Sequence, residues 1–136
     1  MTTLITFDGL WSSALKRTYA SEYAYSWHTR DVWYPVMHDL IVIGHSLGGP
    51  RAIQFCNDNA AYGLRVDLLI TLDPRVFGQP YRKPANVRRA VNFRRKSLWM
   101  SGYAVEGAEE VIMTGVGHME LAWHPEVRAL IEGALK

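Results

Sequence analysis

The sequence predicts an α/β protein built on an open, mainly parallel sheet of about six strands with helices on both faces. Strand-like apolar segments alternate with helix-like segments along the chain. The central strand-like segments are continuously apolar, which is typical of strands that are covered on both faces. No repeat, linker or low-complexity stretch divides the 136 residues, so we expect a single domain over residues 1–136.

Six segments are predicted to be strands. In chain order they are Leu4–Phe7, Tyr23–Trp27, Leu40–Ile43, Val66–Leu72, Val87–Phe93 and Glu110–Thr114. Turn-forming pairs follow the first and the fourth, Asp8-Gly9 and Asp73-Pro74, and a glycine-rich loop ending at His118 follows the last. Because helical segments join these strands, we expect the strands to run parallel and to share one carboxyl edge.

Three segments are predicted to be helices. They are Ser12–Glu22, Gly49–Asn59 and Pro125–Leu135. Ser12 or Ser13 is expected to cap the first helix. Pro50 suits the start of the second, because its missing N–H would be unpaired there. The third helix is amphipathic, with one apolar face made of Val127, Leu130, Ile131 and Leu135.

The most informative segment is residues 39–50, in which a buried strand runs into a sharp turn and then a helix. Ser46 lies at the tip of this turn, and Gly44 and Gly48 lie two residues before and after it, where a side chain would crowd the backbone. A G-x-S-x-G string in this setting is a nucleophile elbow, which exposes the serine hydroxyl. Ser46 is therefore the candidate nucleophile. The alternative is that it only caps the helix that follows.

Four reactive residues follow four of the predicted strands, and all four are expected at the carboxyl edge of the sheet. They are Asp8, Ser46, Asp73 and His118. Ligands of open parallel sheets bind at this edge. His118 is the candidate general base and acid, since an imidazole can take the serine proton and return it to the leaving group. Asp73 is the candidate acid that orients the imidazole.

The acid role has competitors. Asp73 precedes a proline, and an aspartate there is also common in simple turns. Glu106, Glu109 and Glu110 follow the Val87–Phe93 strand and could supply the carboxylate instead. Asp8 also lies at the right edge, but we expect it in the loop that forms the oxyanion hole.

Backbone amides are expected to form that oxyanion hole. One donor is the N–H of Leu47, the residue after the nucleophile. The second is expected in the loop after the first strand, with Leu10 preferred over Gly9 and Trp11. Two such donors, fixed in advance, stabilise the charge that develops on a substrate oxygen.

Composition and charge bear on the expected partners, location and cofactors of the protein. The formal net charge of +2 is too small to indicate a nucleic-acid partner. No apolar run is long enough to cross a bilayer, and the first residues do not resemble a signal peptide, so we expect a cytoplasmic protein. Cys56 lies on an apolar helical stretch and is expected to be buried. No metal-ligand spacing is present, so neither a metal nor a cofactor is expected.

The segment Ile43-Gly44-His45-Ser46-Leu47-Gly48-Gly49 resembles the nucleophile elbow of α/β-hydrolase lipases and esterases, and the order Ser46, Asp73, His118 is similar to the triad order of that superfamily. The resemblance covers nearly the whole chain. It implies a minimal α/β-hydrolase fold, with Ser46 as nucleophile, Asp73 or a later acid in the triad, and His118 as base.

Two features depart from the family pattern. The chain is much shorter than most members, and we expect it to lack the opening antiparallel strands and a cap or lid. Most members also carry the acid one strand later, after the equivalent of Val87–Phe93, where this chain has only glutamates. The position of Asp73 resembles that in a known lipase variant.

The expected function is hydrolysis of carboxylic esters or thioesters through an acyl-enzyme on Ser46. The alternatives are a catalytically inactive binding or scaffold protein with the same fold, and an acyltransferase. The expected partner is a small-molecule acyl substrate, and the chain could form a homodimer. An open site bordered by aromatic residues would favour a small, apolar acyl group, and the candidates for that border are Trp11, Trp33, Phe77, Trp99 and Tyr103.

Overall fold

The structure, a computed structural model, describes residues 2–34, 39–75, 81–96 and 102–135. Its strands are β1 (Thr3–Asp8), β2 (Tyr23–Ser26), β3 (Leu40–His45), β4 (Val66–Leu72), β5 (Tyr81–Arg82), β6 (Val87–Arg95), β7 (Val105–Glu106) and β8 (Glu109–Met113). Six of them form one sheet in the order β2-β1-β3-β4-β6-β8, and every neighbouring pair is parallel. The predicted fold class, an open parallel α/β sheet, is confirmed.

Three helices cover the two faces of this sheet. They are α1 (Ala14–Tyr19), α2 (Gly48–Asn59) and α3 (Pro125–Ala134). The buried side chains of α2 pack in one apolar cluster, and those of α1 and α3 pack in the other. Within the described residues, no helix is both long and apolar enough to span a membrane.

The central strand β3 shows why the sequence pattern was continuously apolar. Ile41 and Ile43 belong to the cluster under α1 and α3, whereas Leu40 and Val42 belong to the cluster under α2. Successive side chains of a strand point to opposite faces, so a strand covered on both faces needs apolar residues at every position. The side chain of Cys56 lies in the α2 cluster with no exposed surface, as expected.

The order of the strands places a crevice at the carboxyl ends of β1 and β3. From β1 the chain moves to one side to form β2 and then crosses to the other side to form β3. In open parallel sheets, ligands bind outside the strand ends where the order reverses in this way. The residues that leave β1 and β3 at this point are Gly9 and Ser46.

One local prediction was wrong in detail, and one small element was not predicted. The first helix was expected over residues 12–22 but is only six residues long, because Ala20 adopts a left-handed conformation with φ +49° that ends it. A small second sheet pairs β5 with β7. Strands of two residues are too short to produce a periodic signal in the sequence.

Candidate active site

Ser46 lies on a strained turn between β3 and α2. Its φ is +57°, a left-handed conformation that serine rarely adopts. A β-carbon on Gly44 would lie 2.1 Å from the carbonyl oxygen of Gly48, and one on Gly48 would lie 2.0 Å from that of Phe7. The spacing of the two glycines around the serine is therefore a packing requirement of this turn.

Backbone hydrogen bonds fix the turn to the neighbouring strand β4. The amide of Ser46 donates to the carbonyl of Leu72 at 2.9 Å. The carbonyl of Ser46 accepts from the amides of Gly49 (3.0 Å) and Arg75 (3.1 Å). The position of the serine is thus set by three backbone contacts, which leave its partly exposed side chain free of a structural role.

Asp73 and His118 are in direct contact. Asp73 directly follows β4 and is fully buried, and His118 lies in the loop after β8. The Nδ1 of His118 lies 2.7 Å from Oδ2 of Asp73. A carboxylate accepts this bond, so the proton of the neutral imidazole lies on Nδ1 and the lone pair lies on Nε2.

The carboxylate of Asp73 has further donors. Its Oδ1 accepts from the amides of Gly102 (2.8 Å) and Arg95 (3.0 Å), and its Oδ2 accepts from Nε of Arg95 at 2.7 Å. The Nη2 of Arg75 lies 3.7 Å from Oδ2. Burial would raise the pKa of Asp73, but the hydrogen bonds from His118, Arg95 and Gly102 outweigh it and hold the pKa well below its usual value. The group is therefore a carboxylate at neutral pH.

The serine–histidine link of a serine–histidine–aspartate relay is not formed. In the described part of the chain, neither Oγ of Ser46 nor Nε2 of His118 makes a hydrogen bond, either with the other or with a further group. The two residues nevertheless share a neighbour. His45 precedes Ser46 in the chain, and its ring lies against the ring of His118 with 4.8 Å between centroids.

His45, the residue before Ser46, contacts the candidate base His118, and its position in the sequence did not indicate this contact. Its side chain is fully buried, and Nε2 donates to the carbonyl oxygen of His118 at 2.8 Å. Burial lowers the pKa of His45 to about 4, which keeps the ring neutral. The sequence did not predict a role for His45. The available signal was a polar residue at the end of an otherwise apolar strand.

The loop after β1 lies against the elbow. A β-carbon on Gly9 would be 2.9 Å from Cβ of Ser46 and 3.4 Å from the amide nitrogen of Leu47. Within the described residues, the amides of Leu47 and Leu10 make no hydrogen bond. Both expected oxyanion donors, the amides of Leu47 and Leu10, are therefore available to a substrate. Gly9, which precedes Leu10, packs closely against Ser46 and Leu47.

Asp8 lies at the predicted edge but is committed to α1. Its carboxylate accepts hydrogen bonds from the amides of Leu15 (2.8 Å) and Lys16 (3.1 Å), which satisfies donors at the start of that helix. The side chain is buried, and within the described residues its hydrogen bonds go to the start of α1 and not to His118. Ser12 also caps the helix, since its Oγ accepts from the amide of Ala14 at 3.2 Å.

The three glutamates that compete for the acid role pair with arginines instead of His118. Glu110 also accepts from the Nδ2 of Asn92 and from the amide of Val105. These contacts tie Glu110 to the strands and loop beneath the site. The three pairs are Glu106–Arg82 (3.4 Å), Glu109–Arg89 (2.6 Å) and Glu110–Arg94 (2.8 Å).

An open groove of about 560 Å³ lies between the loop after β1, which is the expected oxyanion loop (residues 9–13), and the end of β2 with the residues that follow it. Its described lining contains two indole rings and no aspartate, glutamate, lysine or arginine; it consists of Gly9, Leu10, Trp11, Ser12, Ser13, Ser26, Trp27 and His28. Trp11 is 96% exposed, so its ring is available to a bound molecule.

Of the other four aromatic residues expected at the site, two lie in the described part of the chain. Trp33 lies in a separate cavity with Arg51 and Tyr62, away from the groove. Tyr103 is connected to the acid side of the site, since its amide donates to the carbonyl of Pro74. Phe77 and Trp99 lie outside the described residues.

No cluster of histidine, cysteine, aspartate and glutamate among the described residues has the arrangement of a metal site. No protein-family model matches the sequence, and no curated protein is significantly similar to it. The function is therefore inferred from the arrangement of these side chains.

Proposed function

We propose that this protein is a serine hydrolase of the α/β-hydrolase type that cleaves carboxylic esters or thioesters. The observation that carries the proposal is the 2.7 Å contact between His118 Nδ1 and Asp73 Oδ2 at the sheet edge where Ser46 occupies a strained elbow. A buried carboxylate that fixes the tautomer of a partly exposed imidazole is the arrangement that a serine nucleophile requires.

The proposed reaction proceeds through an acyl-enzyme. Oγ of Ser46 attacks the substrate carbonyl carbon while Nε2 of His118 takes the hydroxyl proton. The imidazolium then gives this proton to the leaving alcohol or thiol, and Asp73 stabilises the positive charge throughout. The carbonyl oxygen becomes an oxyanion that accepts hydrogen bonds from the amides of Leu47 and Leu10. Water, activated by His118, attacks the acyl-enzyme and releases the acid.

This mechanism requires Oγ of Ser46 to reach Nε2 of His118, a contact that is not formed in the free protein. Hydrogen bonds of this kind are often long or misaligned without substrate and tighten in the substrate complex. Nε2 makes no other bond within the described residues, so no competing partner has to be displaced.

The groove beside the oxyanion loop supports an uncharged, apolar substrate group. It lies next to Ser46 through Gly9, and its described lining offers indole side chains, serine hydroxyls and the imidazole of His28, with no aspartate, glutamate, lysine or arginine. An apolar acyl chain gains free energy by leaving water for such a surface. A charged chain would lose hydration without gaining a partner.

A fluorophosphonate probe tests the proposed nucleophile. We expect one adduct on the wild-type protein, located on Ser46 by peptide mapping, and no adduct on Ser46→Ala. Ser21→Ala is the control, since Ser21 lies before β2 and outside the groove. It should label at the wild-type rate. A folded wild-type protein that stays unlabelled would contradict the proposal and would favour a binding or scaffold role.

Nitrophenyl esters that differ only in the acyl group test the substrate class. We expect kcat/KM for a neutral short-chain ester to exceed that for an ester of equal length with a terminal carboxylate by about tenfold or more. Trp27→Ala should raise KM for the neutral ester and leave fluorophosphonate labelling of Ser46 intact. Equal kcat/KM for the two esters would show that the groove does not select the acyl group.

A further inference from the structure

We propose that His45 is a positioning residue: its hydrogen bond to the backbone carbonyl of His118 holds the catalytic imidazole where it can serve Ser46. This inference deepens the proposed function and rests on it. His45 would touch neither the substrate nor the reacting atoms, and it would act only through His118.

His118 needs such an anchor because the backbone of the segment before it has few contacts. Within the described residues, positions 114–117 make no hydrogen bond, and Gly115 adopts a φ of +71° with open space around it. The side chain of Val116 packs against the apolar cluster under α1 and α3, but a segment with an exposed, unbonded backbone opens easily. The bond from Nε2 of His45 to the carbonyl of His118, at 2.8 Å, fixes the backbone of this loop to β3.

The two contacts of His45 are directed at different parts of the same residue. Its Nε2 holds the backbone of His118, and its ring lies against the imidazole with an interplanar angle of 30°. Asp73 holds the imidazole edge at Nδ1. Backbone, ring face and ring edge of His118 are thus each fixed, and only Nε2 is left free.

Stability alone does not explain a histidine at position 45. The side chain has no exposed surface, and its Nδ1 has no hydrogen-bond partner among the described residues. A buried polar atom without a partner costs stability, and an apolar residue would continue the pattern of β3 without this cost. What histidine adds is the N–H that reaches the carbonyl of His118.

The neutral form of His45 suits this role. With the proton on Nε2 for the hydrogen bond, Nδ1 carries a lone pair and the ring has no charge. Burial favours the same form. A neutral ring can stay against His118 whether the base is neutral or protonated, so the contact persists during proton transfer.

Substitutions at position 45 separate the hydrogen bond from the volume of the ring. His45→Phe keeps a ring and removes the donor, whereas His45→Gln loses the ring and keeps an N–H at a similar reach. Thr6→Val is the control, because it removes another buried atom without a partner, from the adjacent strand β1, without touching His118. The measured quantities are kcat per titrated active site, KM and the melting temperature.

We expect His45→Phe to lower kcat about 10- to 100-fold at nearly unchanged KM, since a displaced base slows the chemical step and leaves binding intact. His45→Gln should recover most of this loss, and Thr6→Val should keep the wild-type kcat. An unchanged kcat in His45→Phe, or a glutamine variant no better than the phenylalanine variant, would overturn the proposal. If His45→Phe does not fold, His45→Asn replaces it, because its amide is one methylene too short.

Backbone NMR order parameters keep this inference separate from the proposed function. His45→Phe should lower the order parameters of residues 114–118, and Thr6→Val should not. Unchanged order parameters in His45→Phe would overturn the anchor even in an active enzyme. If wild-type protein is neither labelled at Ser46 nor active, the proposed function fails and the positioning role fails with it. If wild-type protein is active and the position-45 variants keep full kcat, only the positioning role fails.

Discussion

The carboxylate of Asp73 is shared between an imidazole and two guanidinium groups. Oδ2 lies 2.7 Å from both His118 Nδ1 and Arg95 Nε, and 3.7 Å from Arg75 Nη2. These contacts offset the cost of burying a charge. Because Oδ2 also accepts a hydrogen bond from His118, the same carboxylate stabilises the fold and, in the proposed mechanism, orients the histidine base.

Replacement of this carboxylate tests its role in the reaction. Asp73→Asn should lower kcat by up to about 10⁴-fold, because an amide can donate to Nδ1 and favour the wrong tautomer of His118. Glu110→Gln is the matched control, since Glu110 is bonded to Asn92 and Arg94 and not to His118. Steady-state kinetics on protein checked by circular dichroism measures both variants. A loss below about threefold for Asp73→Asn would remove it from the acid role.

The buried His45 predicts a pH dependence of stability. Burial lowers the folded pKa of His45 to about 4, from the usual histidine value of about 6.5, so between these values the unfolded chain binds a proton that the folded chain does not. The free energy of unfolding is therefore highest above pH about 6.5 and falls as the pH is lowered.

Comparison with a variant that cannot titrate isolates this contribution. Between about pH 7.5 and about pH 5, wild-type protein should lose roughly 2 kcal/mol more unfolding free energy than His45→Phe. Urea denaturation at the two pH values measures the difference, and other ionisable groups, including Asp73, cancel in the comparison. An equal loss in both proteins would show that His45 is not held neutral by burial.

At the level of residues, the sequence predicted where the candidate site residues lie better than it predicted which groups they contact. It placed Asp8, Ser46, Asp73 and His118 at one edge, because each follows an apolar strand. It could not tell that Asp8 points its carboxylate at α1, since an aspartate after a strand serves a helix start or a reaction equally well. The contact of His45 was also hidden, because the partner is a backbone carbonyl 73 residues away.

At the level of elements, the junction between β3 and α2 depends on close packing of the α2 backbone against the backbone of β1. Gly48 allows α2 to begin directly against β1: a β-carbon there would lie 2.0 Å from the carbonyl oxygen and 2.6 Å from the carbonyl carbon of Phe7. Neither of these atoms can move without displacing the strand. The G-x-S-x-G spacing was recognised from the sequence, whereas the contact with β1 required the structure.

Two glycine-to-alanine substitutions in helices should have opposite effects. Gly48→Ala should lower the free energy of unfolding by about 1–3 kcal/mol or more, because α2 must move away from β1. Gly133→Ala, in α3, meets no atom within 4 Å and should raise it by up to about 1 kcal/mol. Urea denaturation measures both effects. A Gly48→Ala protein as stable as wild type would contradict the packing described for the elbow.

At the level of the whole molecule, one sheet joins two apolar layers. The strands β3 and β4 lie at the centre and are almost entirely buried, whereas the edge strands β2 and β8 are largely half-buried or exposed. The order of the strands could not be read from the sequence, because several orders are compatible with the same alternation of strands and helices. The alternation itself was sufficient for the fold class.

This arrangement predicts a gradient of local stability. Amide exchange should be slowest in β3 and β4, close to the global unfolding limit, and faster in β2 and β8, because strands with fewer buried contacts open locally. Native-state hydrogen exchange followed by mass spectrometry measures this order. Exchange in β8 as slow as in β3 would contradict it.

The central claim is that Ser46, His118 and Asp73 act as one unit, and a double-variant cycle tests it most directly. The rate constant for fluorophosphonate labelling of Ser46 is measured in wild type, Asp73→Asn, His118→Ala and the double variant. If the residues form one relay, the double variant should label no more than about threefold slower than the slower single variant. Losses that multiply in the double variant would show that the two side chains act independently and would contradict the account.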